Sequence, residues 1–191
     1  MVMDSFKLVA FDLEGVLFNW HEGINAISKA TNVHPEIIHE YLIQRHRELE
    51  LGKITPIEFW NDFISQHKLN NQAEDLNYYW IHRQPKIKKM WDLARYLKSK
   101  NVKIAICTNS WKGLLDNFRN IFPEFAIFDY YFESDVIGTV KPNADYFSFV
   151  EKETGFSGNQ ILLIDDSDEN LNGAKEFGWK TINPLTIDRL E

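Results

Sequence analysis

The sequence predicts an α/β fold: a parallel sheet flanked by helices, with a small all-helical unit inserted after the first strand. Three observations carry this. Short, nearly continuous apolar runs recur along the chain. Segments of helical period lie between most of them. One long stretch, from residue 21 to about residue 82, has helical period and no strand-like run.

Four runs read as strands buried on both faces: residues 8–11, 102–107, 130–132 and 161–164. A weaker fifth covers 179–182. Ile87, Met90, Trp91, Ala94 and Leu97 share one helical face ahead of the second run. Apolar strands alternating with helices belong to parallel sheets covered on both sides. The long exceptional stretch divides into helices at 22–30, 35–51, 56–66 and 72–82. Pro35 and Pro56 stand where a helix start tolerates proline. The expected division is a core of residues 1–18 and 84–191 and a helical cap of residues 19–83. Such a cap can close over a site at the sheet's edge or add a packing layer.

A chain of 191 residues suits one domain, or one domain with an insertion, and buries enough surface to fold without disulfides or a structural metal. The net charge of -7 argues against nucleic acid or an anionic membrane as partner. It leaves a phosphorylated ligand open, because a local field can oppose the overall charge. The single cysteine, Cys107, sits in an apolar run and reads as a buried small hydrophobe. No intramolecular disulfide is possible, which fits a reducing cytoplasm. No signal peptide or membrane span is expected.

Ligands of open α/β sheets bind beyond the carboxyl ends of the strands. The residues following each run therefore carry the functional reading. They are Asp12-Leu-Glu14-Gly, Thr108-Asn109-Ser110, Lys141-Pro142 within a loop, and Asp165-Asp166-Ser167. Each alone has a plainer explanation. Asp12 could cap a turn, Asp165-Asp166 could start a helix, and Thr108 and Lys141 could be ordinary loop residues. In this order, each after a strand, they point to one shared site. Three carboxylates on one rim repel, and a hard divalent cation with oxygen ligands relieves that. A lysine and a hydroxyl can clamp phosphoryl oxygens. A carboxylate nucleophile can form an aspartyl-phosphate that water then hydrolyses.

These motifs resemble the haloacid dehalogenase-like hydrolase superfamily, most of whose members are phosphatases on a Rossmann-like sheet. Asp12-Leu-Glu-Gly-Val16 looks like its first motif, Thr108-Asn109 its second, Lys141-Pro142 its third, and Asp165-Asp166 its fourth. The segment Leu51-Gly-Lys-Ile-Thr-Pro-Ile-Glu-Phe-Trp60 is similar to the helical cap of the subgroup that holds sugar-phosphate phosphatases. The resemblance covers essentially the whole chain. It implies Asp12 as nucleophile and metal ligand, and Glu14 as acid/base with its backbone carbonyl on the metal. It implies Thr108, the Asn109 backbone and Lys141 on the phosphoryl group. Asp166 would bind Mg2+ directly and Asp165 would support it.

The implied activity is Mg2+-dependent hydrolysis of a small phosphorylated metabolite, with sugar phosphates among the candidates. Glu14 departs from the family's usual Asp, and its extra methylene moves the carboxyl by more than about 1 Å. That departure keeps an alternative alive, a catalytically weak protein that binds a phosphorylated ligand or a partner. A phosphomutase would use the same residues. A dehalogenase would need no metal, and the acidic pair speaks against it. Among the tryptophans, Trp20 is the expected pocket wall, whereas Trp60 and Trp80 are expected in the core. His39 and His46 read as one solvated helix face. The sequence does not name the substrate or the oligomeric state.

Overall fold

The protein is described here by a computed structural model covering residues 5–187. Its five strands are β1 (Leu8–Phe11), β2 (Lys103–Thr108), β3 (Tyr130–Glu133), β4 (Ile161–Ile164) and β5 (Lys180–Ile182). They form one parallel sheet in the order β3-β2-β1-β4-β5. The helices are α1 (His21–Thr31), α2 (Pro35–Glu50), α3 (Pro56–His67), α4 (Ala73–His82), α5 (Lys88–Ser99), α6 (Leu114–Ile121), α7 (Ser134–Ile137), α8 (Ala144–Thr154), α9 (Asp168–Phe177) and α10 (Pro184–Ile187). Two strand boundaries differ from the sequence expectation. β2 runs from Lys103 to Thr108, so Thr108 ends the strand rather than following it. β5 starts one residue after Trp179.

The apolar strands serve two cores at once. Val9, Phe11, Ile104, Ile106, Leu162 and Ile164 point to one face. Leu8, Ala10, Ala105, Cys107, Ile161 and Leu163 point to the other. Successive side chains of a strand alternate in direction, so a strand covered on both sides must be apolar at every position. The first face packs on α5 and α6 through Trp91 and Phe118, and its core runs on into α1–α4. The second packs on α8 and α9 through Tyr146, Phe147, Leu171 and Ala174.

α1–α4 follow one another between β1 and α5 and pack chiefly on each other. Their ends obey local rules. Thr55 and Glu58 cap α3 reciprocally: Thr55 Oγ1 accepts from the Glu58 N–H at 3.2 Å, and Glu58 Oε2 accepts from the Thr55 N–H at 2.7 Å. Pro56 takes the first helical position, where no amide hydrogen is needed. The chain leaves the sheet for these helices and returns to it side by side. The Asn19 N–H donates to Pro85 O and the Ile87 N–H to Leu17 O, at 2.9 and 2.8 Å. These two stems fix where the helical stretch joins the sheet. Among the described residues no helix is long and apolar enough to cross a membrane.

One strand-end carboxylate works against the fold at high pH. Burial pushes Glu133 up to about 7, and Asp135 and Asp116 add repulsion. Its neutral form therefore suits the native state. Its contribution is intact below the ordinary glutamate value of 4.5 and is lost as pH rises through about 7. Glu133→Gln should raise Tm at pH 8 and change it little at pH 5. A Tm lowered at pH 8 would show that the charge at 133 is favourable.

Candidate active site

Asp12 extends β1 beyond Phe11. Its N–H donates to Ile164 O of β4 at 2.9 Å, so the ladder holds the backbone in place. The Leu13 N–H donates to its Oδ1 at 2.8 Å. Asp165 and Asp166 leave the neighbouring strand at the same level. Oxygen atoms of Asp12, Asp165 and Asp166 lie within 4.8 Å of one another. Burial, followed by the mutual repulsion of the acids, raises the pKa of both Asp12 and Asp166; Lys141 opposes this.

Lys141 lies in the loop between α7 and α8 and is fully buried. Its ammonium donates to Asp165 Oδ2 at 2.5 Å and to Cys107 O at 2.7 Å, and it lies 3.2 Å from Asp12 Oδ1. Burial alone would lower its pKa, but Asp12 and Asp165 outweigh burial and keep it charged. Asp165 is held further by the Ser167 N–H at 2.9 Å and by Asn170 Nδ2, 3.2 Å from both carboxylate oxygens. Ser167 also caps α9, so the start of that helix and the orientation of Asp165 form one unit.

Two glycines make room for this. Gly15 has φ 90°, and a Cβ there would sit 2.6 Å from Asp166 Oδ1. The turn after Asp12 thus admits the Asp166 carboxyl as well as a left-handed backbone. Gly173 of α9 would place a Cβ 2.8 Å from Pro142 O. Its bare backbone lets the helix press against the loop that carries Lys141.

The sequence-predicted residues divide as follows. Asp12, Lys141, Asp165 and Asp166 meet directly. Thr108 is buried at the end of β2. The Asn109 side chain is committed to Lys141: its Oδ1 accepts from the Lys141 N–H at 2.8 Å, and its Nδ2 donates to Lys141 O at 2.9 Å. Glu14 lies in a cavity that Asp12 also lines. There Gln84 Nε2 donates to its Oε1 at 2.6 Å. Burial raises Glu14 to about 7 despite the hydrogen-bonding environment of Gln84 and Trp80, with Glu50 and Asp166 repelling.

That cavity holds about 250 Å³ between α2, α4 and the strand ends. Trp20, Leu42, Ile43, Trp80 and Trp111 supply apolar wall. Trp20 is therefore at the pocket, as expected, and Trp60 is in the core. Two expectations are corrected. His39 and His46 line the pocket rather than a solvated face, because α2 lays that side across the strand ends. Trp80 is buried, but one side of it faces the cavity. Sequence reasoning also passed over Gln84, Glu50 and Trp111. None belongs to a motif, and only the fold brings them to the site.

A model of the haloacid dehalogenase-like hydrolases matches residues 6–178. The chain belongs to that family of enzymes. It is 27% identical over 176 residues to the sesquiterpene phosphatase astK of Aspergillus oryzae, spanning 91% of this chain and 87% of that one. The HAD family enzyme bt-2542 of Bacteroides thetaiotaomicron, solved with magnesium and inorganic phosphate, superposes with a TM-score of 0.75 at 23% identity, over 94% of both chains. The L-2-haloacid dehalogenase of Xanthobacter autotrophicus superposes with a TM-score of 0.73 at 20% identity, over 96% of this chain and 81% of that one. These superpositions show a shared fold, and a fold alone does not fix the chemistry, which rests on side chains.

Removing the Lys141 ammonium would leave Asp12 and Asp165 buried without it. Loss of one partner from a buried ionic group costs about 3–5 kcal/mol. Lys141→Met should lower the unfolding free energy by that order, measured by urea denaturation. A loss under about 1 kcal/mol would mean that the carboxylates are protonated or paired in another way.

Proposed function

We propose that this protein is a magnesium-dependent phosphatase that hydrolyses a small phosphomonoester through an aspartyl-phosphate on Asp12. The observation that carries the reading is the charge count at the strand ends. Three carboxylates face one ammonium, which leaves two negative charges. A divalent cation balances them, and oxygen donors are what magnesium takes. The residues present therefore fit the ion. Asp12, Asp166 and the backbone carbonyl of Glu14 would hold it, with Asp165 in support. Bound there, it would lower the repulsion between Asp12 and a phosphate dianion.

The protein's own groups would do the rest. Asp12 attacks phosphorus. Glu14 protonates the departing oxygen and then takes a proton from the attacking water. Lys141 keeps Asp12 and Asp165 apart in charge, and Thr108 and the Asn109 backbone face the phosphoryl group. Residues 19–83 act as a cap over a core of 1–18 and 84–191. A dehalogenase reading would bring a carboxylate substrate against this acidic cluster, which disfavours it.

The pocket walls also narrow the substrate. Trp20, Trp80, Trp111, Leu42 and Ile43 suit an organic group with at least one apolar face. A relative named as a sesquiterpene phosphatase is in keeping with this. A sugar could still lay one face on an indole, so isoprenoid and aryl phosphates should be assayed beside sugar phosphates. Work in a reducing cytoplasm suits the lone thiol, Cys107, which is buried and pushed up to about 12.

Two outcomes test the reading. Asp12→Asn should cut turnover by about 10³-fold or more while circular dichroism and Tm show an intact fold. Retention of a tenth of wild-type activity would exclude the covalent mechanism. Millimolar magnesium should raise the Tm of the wild type, because an ion that binds only the native state stabilises it. The rise should be smaller in Asp166→Ala. Activity unchanged in excess chelator would overturn the metal assignment.

A further inference from the structure

Glu14 is longer than the aspartate that its family usually places there, and the structure gives the extra length a partner. The carboxyl reaches Gln84, whose Nε2 donates to Glu14 Oε1 at 2.6 Å. An aspartate, about 1.5 Å shorter, would fall short of that bond. Gln84 is 3% exposed. It stands at the return stem of the helical stretch, beside Pro85, whose carbonyl accepts from Asn19 of the outgoing stem. The Trp80 indole N–H makes no formed hydrogen bond but favours the Glu14 carboxylate.

We propose that Gln84 is the positioning residue for Glu14: the buried amide aims its carboxyl, so the placement of the acid/base is set by the stem of the helical insertion and not by the sheet alone. The inference rests on the phosphatase reading above. A free glutamate side chain samples several rotamers, and a catalytic group misplaced by 1 Å can lose about 10²-fold in rate. The Gln84 amide removes that freedom. A glutamate at 14 and a glutamine at 84 then work as a pair, and the departure from aspartate is compensated rather than harmful.

The test compares Gln84→Leu, Gln84→Glu, Glu14→Asp and the double variant Glu14→Asp/Gln84→Leu on an alkyl phosphate and on nitrophenyl phosphate. Gln84→Leu should lower kcat on the alkyl phosphate by about 10- to 100-fold, with KM little changed. The loss should be smaller on nitrophenyl phosphate, whose leaving group hardly needs a proton. Gln84→Glu keeps the shape but removes the amide donor, and should lose as much if Gln84→Leu folds poorly. Adding Gln84→Leu to Glu14→Asp should cost little more, because the shorter acid no longer meets residue 84. The Tm shifts of the same single and double variants should likewise fail to add, a readout independent of turnover. A wild type inert toward every phosphomonoester overturns the phosphatase reading and the positioning role with it. An active wild type in which Gln84→Leu slows both substrates equally, or in which the two losses multiply, overturns the positioning role alone.

Discussion

Among the described residues, Lys141 carries the only full positive charge in direct contact with Asp12 and Asp165, and it is buried where the strands end. Two acids so close in a region of low dielectric could not both be held in place without it. Much of the surrounding structure serves to keep that ammonium in place. The Asn109 side chain grips the backbone of Lys141 from both directions. Cys107 lends a carbonyl from within β2. Gly173 leaves α9 bare where Pro142 presses on it, and the cap of α9, Ser167, is bonded through its backbone to Asp165. The second, third and fourth clusters of the sequence are thus one mechanical unit around a single charge.

Glu14 belongs to a different environment. It lies two residues from Asp12, but its partners come from the helical stretch and its return stem: Gln84 by hydrogen bond, Trp80 by proximity and Glu50 by repulsion. In the proposed mechanism the sheet fixes the nucleophile, and the helical stretch with its stem fixes the acid. Burial raises the proton affinity of Glu14 toward neutrality, which suits the acid/base role proposed for it. The same helices supply the apolar walls of the cavity. On the proposed reading, substrate choice and acid placement depend on one layer, and phosphate chemistry depends on the other.

The superpositions on an enzyme solved with magnesium and phosphate and on a haloacid dehalogenase sharpen the point. A sheet of this order carries Asp12 at its rim, and a shared fold does not fix what such a residue does. The proposed choice of chemistry rests on the acids around Asp12, since a surplus of negative charge calls for a cation and repels a carboxylate substrate.

The sequence by itself determined the layers and the strand-end cluster. A strand buried on both faces must be apolar throughout, so the strands of 8–11 and 161–164 could be read directly. Asp12 and Asp165 follow those runs at once, which placed them on a common rim without knowledge of the packing. The four inserted helices were legible for a similar reason, since their periodicity and the prolines at 35 and 56 are local signals. What lies across the pocket was not legible. Which face of α2 covers the strand ends, and hence that His39 and His46 line a cavity, depends on how one layer sits on another. The bond from Gln84 to Glu14 spans seventy residues and follows no period or motif. Local patterns record how each segment buries itself; the contacts between segments are decided only when the two stems at Asn19 and Pro85 pair and bring the helices over the sheet.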